Sequence, residues 1–158
     1  MSQTSEQFDQ VVGSCSEIFL KKTHDYGTSW RVLRLISVVD QIFIKALRIR
    51  TIQDIGTQKV DDDIQSEFKG IVNYAVIGLI QLKLGDPKVE EIDVAQVQSL
   101  YDEQVLFAKN TMLDKNHDYG EAWRDMSQES YADLILMKLM RIRQILTNDG
   151  KTLISEGI

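Results

Sequence analysis

Residues 22–31, KTHDYGTSWR, return at residues 115–124 as KNHDYGEAWR, and residues 40–52, DQIFIKALRIRTI, return at 133–145 as DLILMKLMRIRQI. The offset is 93 residues with no gap, and 15 of the 31 positions in 22–52 are identical in both copies. Both histidines and both tryptophans of the chain lie in these segments. An internal repeat of this length means one supersecondary unit used twice. Apolar positions have drifted between the copies, as at Phe43/Leu136, Ile44/Met137 and Leu47/Met140, which core positions tolerate. Among the positions that stayed the same are polar ones, Lys22, His24, Asp25, Arg31, Asp40, Lys45, Arg48 and Arg50.

Outward from the repeat the chain reads as helix throughout, since strand alternation never persists beyond a few positions. Five helices are predicted. The first covers about 5–22 and is opened by Thr4 with Gln7 three residues on, a capping-box spacing. The second covers about 38–54. The third, about 62–84, stops at Gly85-Asp86-Pro87. The fourth covers about 94–115, with Asp93 and Gln96 as a capping pair, and the fifth about 131–148, before Gly150. The expected fold is all-α, a helical bundle of two tandem helix–loop–helix units related by a pseudo-two-fold axis. The first unit spans 1–92 and the second 93–158, with one shared core. The third helix has Gly70, Tyr74 and Gly78 four apart, a face that lets another backbone approach. Its counterpart in the second copy would begin near Ile158, where the sequence stops. That predicts either further natural chain, the preferred reading, or a second copy without its closing helix. Apolar surface around Leu134, Met137, Leu139 and Met140 is then expected to be partly open, and to be covered by formation of a two-fold homodimer.

Composition narrows the function. The net charge is −6, which argues against a general nucleic-acid binder. One cysteine, Cys15, permits no intramolecular disulfide and suits a reducing compartment, so a cytoplasmic location is expected. The N-terminus lacks a signal-peptide core, and the most apolar run, 71–82, is too short and too polar to span a bilayer. Within this acidic chain, residues 22–52 carry six Lys or Arg against two Asp, a local cationic excess that suits an anion.

Each conserved motif has two readings. In His24-Asp25-Tyr26-Gly27 and His117-Asp118-Tyr119-Gly120, glycine ends a helix and the aromatic packs the exit loop. As a site, His24 and His117 would act as acid or base beside Asp25 and Asp118. Lys22, Arg31, Lys45 and Arg48, with Lys115, Arg124, Lys138 and Arg141 in the second copy, would hold phosphate. Tyr26 and Trp30, or Tyr119 and Trp123, would stack a base. Arg50 and Arg143 read as solvated flanks paired to acids. Asp40 and Asp133, three residues after Ser37 and Ser130, read first as capping-box acids. Glu67 reads first as an exposed helical acid, and Cys15 as a buried small residue. Asp25, Asp40 and Glu67 are the candidate ligands if a Mg²⁺ ion binds.

The pairing of K-x-H-D-Y-G-x-x-W-R with D-x-I-x-x-K-x-x-R-I-R, followed by SEFKGIVNYAVIGLIQL at 66–82, resembles the family called nucleotide modification associated domain, type one. The likeness covers nearly the whole chain. It implies a helical bacterial or phage protein, associated in some members with nucleotide or DNA-base modification, and it brings no established reaction. A more distant likeness is to all-helical nucleotide pyrophosphohydrolases, which hold magnesium with E-E-x-x-E and E-x-x-D. No E-E-x-x-E occurs here, and the third helix offers Glu67-x-x-Gly70, with glycine where the second acid would stand. The function expected is therefore binding, or metal-assisted chemistry, of a nucleotide or other phosphorylated small molecule. The alternative is a non-catalytic dimerisation or protein-interaction module.

Overall fold

Helix α1, Gln3–Tyr26, is a full turn longer than its apolar pattern indicates. It opens at Ser2, whose hydroxyl accepts from the Ser5 amide at 3.2 Å, so Ser2 and not Thr4 is the cap. It closes at Gly27, whose amide donates to the Thr23 carbonyl. The structure, a computed structural model, describes residues 2–154, 157 and 158. A 3₁₀ turn, Ser29–Val32, leads into α2, Leu35–Ile55; α3 is Ile64–Leu84 and α4 Val94–Tyr119. A second 3₁₀ turn, Ala122–Asp125, precedes α5, Gln128–Thr147. The described residues contain helices and turns and no strand, so the chain is all-α as expected. None of these helices is long and apolar enough to cross a membrane.

The 93-residue offset carries over element by element, α1 to α4, one 3₁₀ turn to the other and α2 to α5. Element ends differ from the sequence expectation in two ways. His24, Asp25 and Tyr26, expected just beyond a helix, form the last turn of α1, and His117, Asp118 and Tyr119 the last turn of α4. The glycines therefore cap one turn later than the apolar periodicity implies. Ser37 and Ser130 are not caps. Helix α2 starts at Leu35, its first turn closed by the Arg34 carbonyl accepting from Ser37 and Val38, and α5 is preceded by Ser127. Asp63 and Asp93 do cap α3 and α4, accepting from the Ser66 and Ala95 amides.

Helix α2 is the centre, packed on one side by α3 and on the other by α5, while α1 packs on α4 and α3. Its apolar residues lie nearly all round the helix, so more than one face needs cover. One core runs through all five helices, including Phe19, Ile42, Ala46, Ile49, Ile80, Val97, Tyr101 and Leu139. Gly70 and Gly78 do admit α2, though what enters is side chain. A Cβ at Gly70 would stand 3.1 Å from the Lys45 stem, and one at Gly78 would stand 3.3 Å from Val38. Leu139, expected to be open, is buried, because it faces into this shared core; Leu134, Met137 and Met140 are exposed.

The conserved aspartates and outer arginines join the two central helices. Arg143 donates to Asp40 at 2.5 Å, and Arg50 lies 3.6 Å from Asp133. Exchanging each partner for its counterpart in the other copy, Asp40 for Asp133 and Arg143 for Arg50, turns one pair into the other. This reciprocity is what a two-fold relation between copies requires, and it accounts for Asp40 and Arg50 being retained in both. Arg143 also lies over the Phe43 ring, 4.7 Å from its centre.

The cap at Asp63 generates a pH signature. Hydrogen bonds from Ser66, backbone first, hold its carboxyl below the ordinary carboxylate value. A depressed folded pKa contributes stability above the unfolded value and loses it as the pH falls through the folded one. Asp63→Ala is therefore expected to lower the Tm at pH 7, with the gap to the unmodified chain closing as the pH drops below the carboxylate range. Calorimetry from pH 7 to pH 2 checks this; a gap that persists at pH 2 removes ionisation of the cap as the cause.

Candidate functional site

The chain leaves α1 through a bend that glycine alone fits. Gly27 has φ +64°, and a Cβ on it would collide with the Glu91 carboxylate. That carboxylate accepts from the Thr28 amide, while the Thr28 hydroxyl donates to the Glu90 carbonyl and accepts from the Ile92 amide. Three residues on, Arg31 is only 2% exposed. Its guanidinium donates to Glu90, to Gln81 Oε1 and to the Asp86 carbonyl, all at 2.9 Å. The Gln81 amide in turn donates to the carbonyls of Trp30, Arg31 and Leu33. This network clips the 3₁₀ turn onto α3 and so sets Trp30 opposite that helix. Arg31, expected to hold phosphate, is instead a buried structural cation whose donors are taken.

Between α1, the turn, α2 and α3 lies an open cleft of about 710 Å³. Lys22, Tyr26 and Trp30 line one wall, Lys45 reaches in from α2, and Glu67, Lys69 and Tyr74 come from α3. The size is that of a small-molecule site. Helical spacing explains the wall: residues 22 and 26 share a face of α1 at i, i+4. His24 and Asp25 turn away by the same arithmetic. They are 90% and 64% exposed, bonded to each other at 3.2 Å, and do not line the cleft. His117 and Asp118 repeat this exposed pair at 3.3 Å.

Glu67 corrects the exposed reading made from sequence. It is 7% exposed, 2.9 Å from Arg48 and 3.6 Å from Lys45. A buried carboxylate requires such partners. Arg48 also donates to the Val60 and Asp62 carbonyls, tying down the loop between α2 and α3. The candidate metal ligands are dispersed. Asp25 pairs with His24, Asp40 with Arg143 and Glu67 with two cations, and the described residues contain no group of three or more His, Cys, Asp or Glu arranged to hold an ion. Those three carboxylates do not together fit a magnesium ion.

Deeper in, Asn73 donates to the Cys15 carbonyl and accepts from the Tyr101 hydroxyl at 2.7 Å, linking α1, α3 and α4 behind the cleft. Burial pushes the Tyr101 phenol well above its ordinary pKa, so it stays a donor. Cys15 is fully buried, as expected, and burial raises its thiol pKa. Trp30 Nε1 is a buried donor without a partner. Its counterpart Trp123 donates to Asn116 at 2.8 Å; in the first copy Thr23 stands at that place, and its hydroxyl turns to the Phe19 carbonyl.

The second copy uses the same residues differently. Arg124 donates to Gln7, Thr4 and Glu121 and stacks 4.4 Å over Trp123, pinning the second turn to the start of α1. Glu121 stands where Thr28 does. Hydrogen bonds from Thr4, then Asn116 and Arg124, hold its carboxyl below the ordinary value. Lys115, Tyr119 and Trp123 line a cavity on the face of α4 that corresponds to the cleft wall, with Leu79 of α3 also in its lining; Lys138 and Arg141 are exposed.

The partners of Arg31 come from 50 to 59 residues away, and no local pattern announces them. Lys69 was missed for a similar reason. It lies outside the repeat, and the only signal was its place on the helix that follows it.

The site is thus a cationic, aromatic-walled cleft in an all-helical tandem-repeat protein. The sequence matches the family described as nucleotide modification associated domain 1 over residues 22–82 and again over 115–158, and the chain belongs to that family. No curated protein and no solved structure matches it.

The buried clip predicts a large asymmetry between equivalent arginines. Arg31→Ala strands a carboxylate and a glutamine and is expected to cost about 3–5 kcal/mol. Arg31→Lys should rescue little, since an ammonium cannot reach three divergent acceptors. Arg124→Ala, at a partly exposed ion pair, should cost only about 1 kcal/mol. Urea unfolding measures all three; similar losses at 31 and 124 would remove the clip's special status.

Proposed function

We propose that the first-copy cleft binds a nucleotide or a closely related phosphorylated small molecule. The observation that carries this is the gathering of Lys22, Lys45 and Lys69 with Tyr26, Trp30 and Tyr74 around one cleft of an acidic chain. Phosphate oxygens suit the ammonium groups, and a base suits the aromatic faces. Lys45 is the natural phosphate ligand. It is 27% exposed, and its 3.6 Å approach to Glu67 is a loose pairing that an incoming anion can compete for. Membership of a family named for nucleotide modification supports the same ligand class.

The reading stops at binding. The His–Asp pairs stand outside the cleft, and several of the repeated polar residues, Arg31, Asp40, Arg50, Arg124 and Arg143, hold structure. That second observation favours a binding module, with the ligand as a sensed or presented group, over a self-sufficient catalyst.

Titration with fluorescent nucleoside triphosphates, with and without magnesium, tests the reading. Lys45→Ala removes one charge-assisted contact, worth ~1.5–3 kcal/mol, and should weaken binding about ten- to a hundredfold. Tyr26→Ala should also weaken it, while Lys138→Ala, at the equivalent place in the second copy, should leave it unchanged. Binding that is absent, or indifferent to Lys45, overturns the assignment. Arg48 is unsuitable for this test because its loss would release the loop before α3.

A further inference from the structure

The first-copy cleft is polarised along its length. On α3 its lining runs from Ser66 to Ile77. At 1.5 Å per residue that is a path of about 16 Å. Tyr74 and Ile77 stand at one end, with Trp30 and Leu33, whose carbonyls are held by Gln81 one turn past Ile77. Ser66, Glu67 and Lys69 stand at the other end, next to Asp62 of the preceding loop. The cations are spread along this path, one from each of three helices. Lys22 of α1 is one turn before Tyr26. Lys45 of α2 passes over Gly70, where an added Cβ would stand 3.3 Å from its Nζ, so its ammonium lies one turn of α3 from Tyr74. Lys69 of α3 is half-buried. Helical side chains lean toward the N-terminus, which carries Lys69 away from Tyr74 and toward the Ser66 end. It also lines the adjoining cavity of about 360 Å³ with Ser14 and Gln65. Little of this charge is cancelled within the fold. Glu67 is answered at 2.9 Å by Arg48, which stands outside the lining. Among the described residues neither Lys22 nor Lys69 has a salt-bridge partner. Three lysines therefore face one further carboxylate, that of the exposed Asp62.

We propose that the ligand of this cleft is a nucleoside polyphosphate, with its base among Tyr26, Trp30 and Tyr74, its first phosphate at Lys22 and Lys45, and its later phosphates at Lys69. The assignment rests on the nucleotide-binding reading of the same cleft and names the ligand within it. Lysine meets phosphate as a point charge, so its place along the path, more than its angle, decides which phosphate it serves. A monophosphate anchored by its base ends near Lys45 and leaves Lys69 unmet. Each added phosphate brings further negative charge and extends the ligand toward the Ser66 end. Lys45 thus contributes to every phosphorylated form alike, whereas Lys69 reads the length of the phosphate chain.

The test is calorimetric titration of the full chain with each of the four common deoxynucleosides as its mono-, di- and triphosphate, at fixed ionic strength and without divalent cation. The triphosphate is expected to bind about tenfold or more tighter than the monophosphate, the worth of one charge-assisted contact. Lys69→Ala should close most of that gap, and Lys69→Arg, which keeps the charge, should hold it open. Lys45→Ala should weaken all three forms by a similar factor and leave the gap in place, a contrast that general attraction of polyanions to a cationic surface does not produce. Inorganic tripolyphosphate should bind more weakly than the nucleotide, because it leaves the aromatic end empty. Equal affinity for mono- and triphosphate, with binding still sensitive to Lys45→Ala, overturns this inference and leaves the nucleotide-binding reading standing. A gap indifferent to Lys69→Ala does the same, and tripolyphosphate binding as tightly as the nucleotide overturns the placement of the base. Absence of binding by every nucleotide overturns both the inference and the reading beneath it.

Discussion

A guanidinium with almost no access to water holds this molecule in its working shape. Arg31 stands at the meeting of the α1 exit, the C-terminal end of α3 and the segment before α4, and it donates to one group of α3 and two of that segment. Burying such a charge is costly unless every donor is matched. Here each of the three guanidinium nitrogens has an acceptor: a carboxylate, a side-chain carbonyl and a backbone carbonyl. The consequence is positional. Gln81, engaged by Arg31, draws the carbonyls of Trp30, Arg31 and Leu33 onto α3, and Trp30 is thereby held across from Tyr74 and Glu67. The cleft is a by-product of satisfying one arginine.

Duplication gave two copies of each motif, and tertiary context assigned them different work. Arg31 is sealed in while Arg124 is a partly exposed pin stacked on Trp123. Trp30 has an unpaired N–H and Trp123 a partner, because Thr23 replaces an asparagine at the place of Asn116. Where the copies meet, on α2 and α5, their work is the same. There the Asp40–Arg143 and Arg50–Asp133 pairs exchange under the offset, and neither copy can lose its aspartate without stranding an arginine of the other.

Helix α3 binds the first copy together. It supplies the acid to the KxxR pair, the far wall of the cleft, the asparagine behind it and the glutamine that sets the turn.

The sequence alone determined the helices, the duplication, the helix-ending glycines and the cationic bias of the first copy. Each of these is a local property: apolar period, positive φ and the charge of neighbouring residues are written within a few positions of one another. It also singled out Lys22, Tyr26, Trp30 and Lys45, which share the cleft because two lie a helical turn apart and the others follow in the same unit. Tertiary structure decided which of the retained polar residues line the cleft and which pair within the fold. Arg31, Asp40 and Glu67 each suited a ligand on sequence grounds, and each is answered by a partner 19 to 103 residues distant. Whether a charge faces solvent, a ligand or another charge depends on what the rest of the chain brings against it, and for a bundle that is settled only when the helices pack.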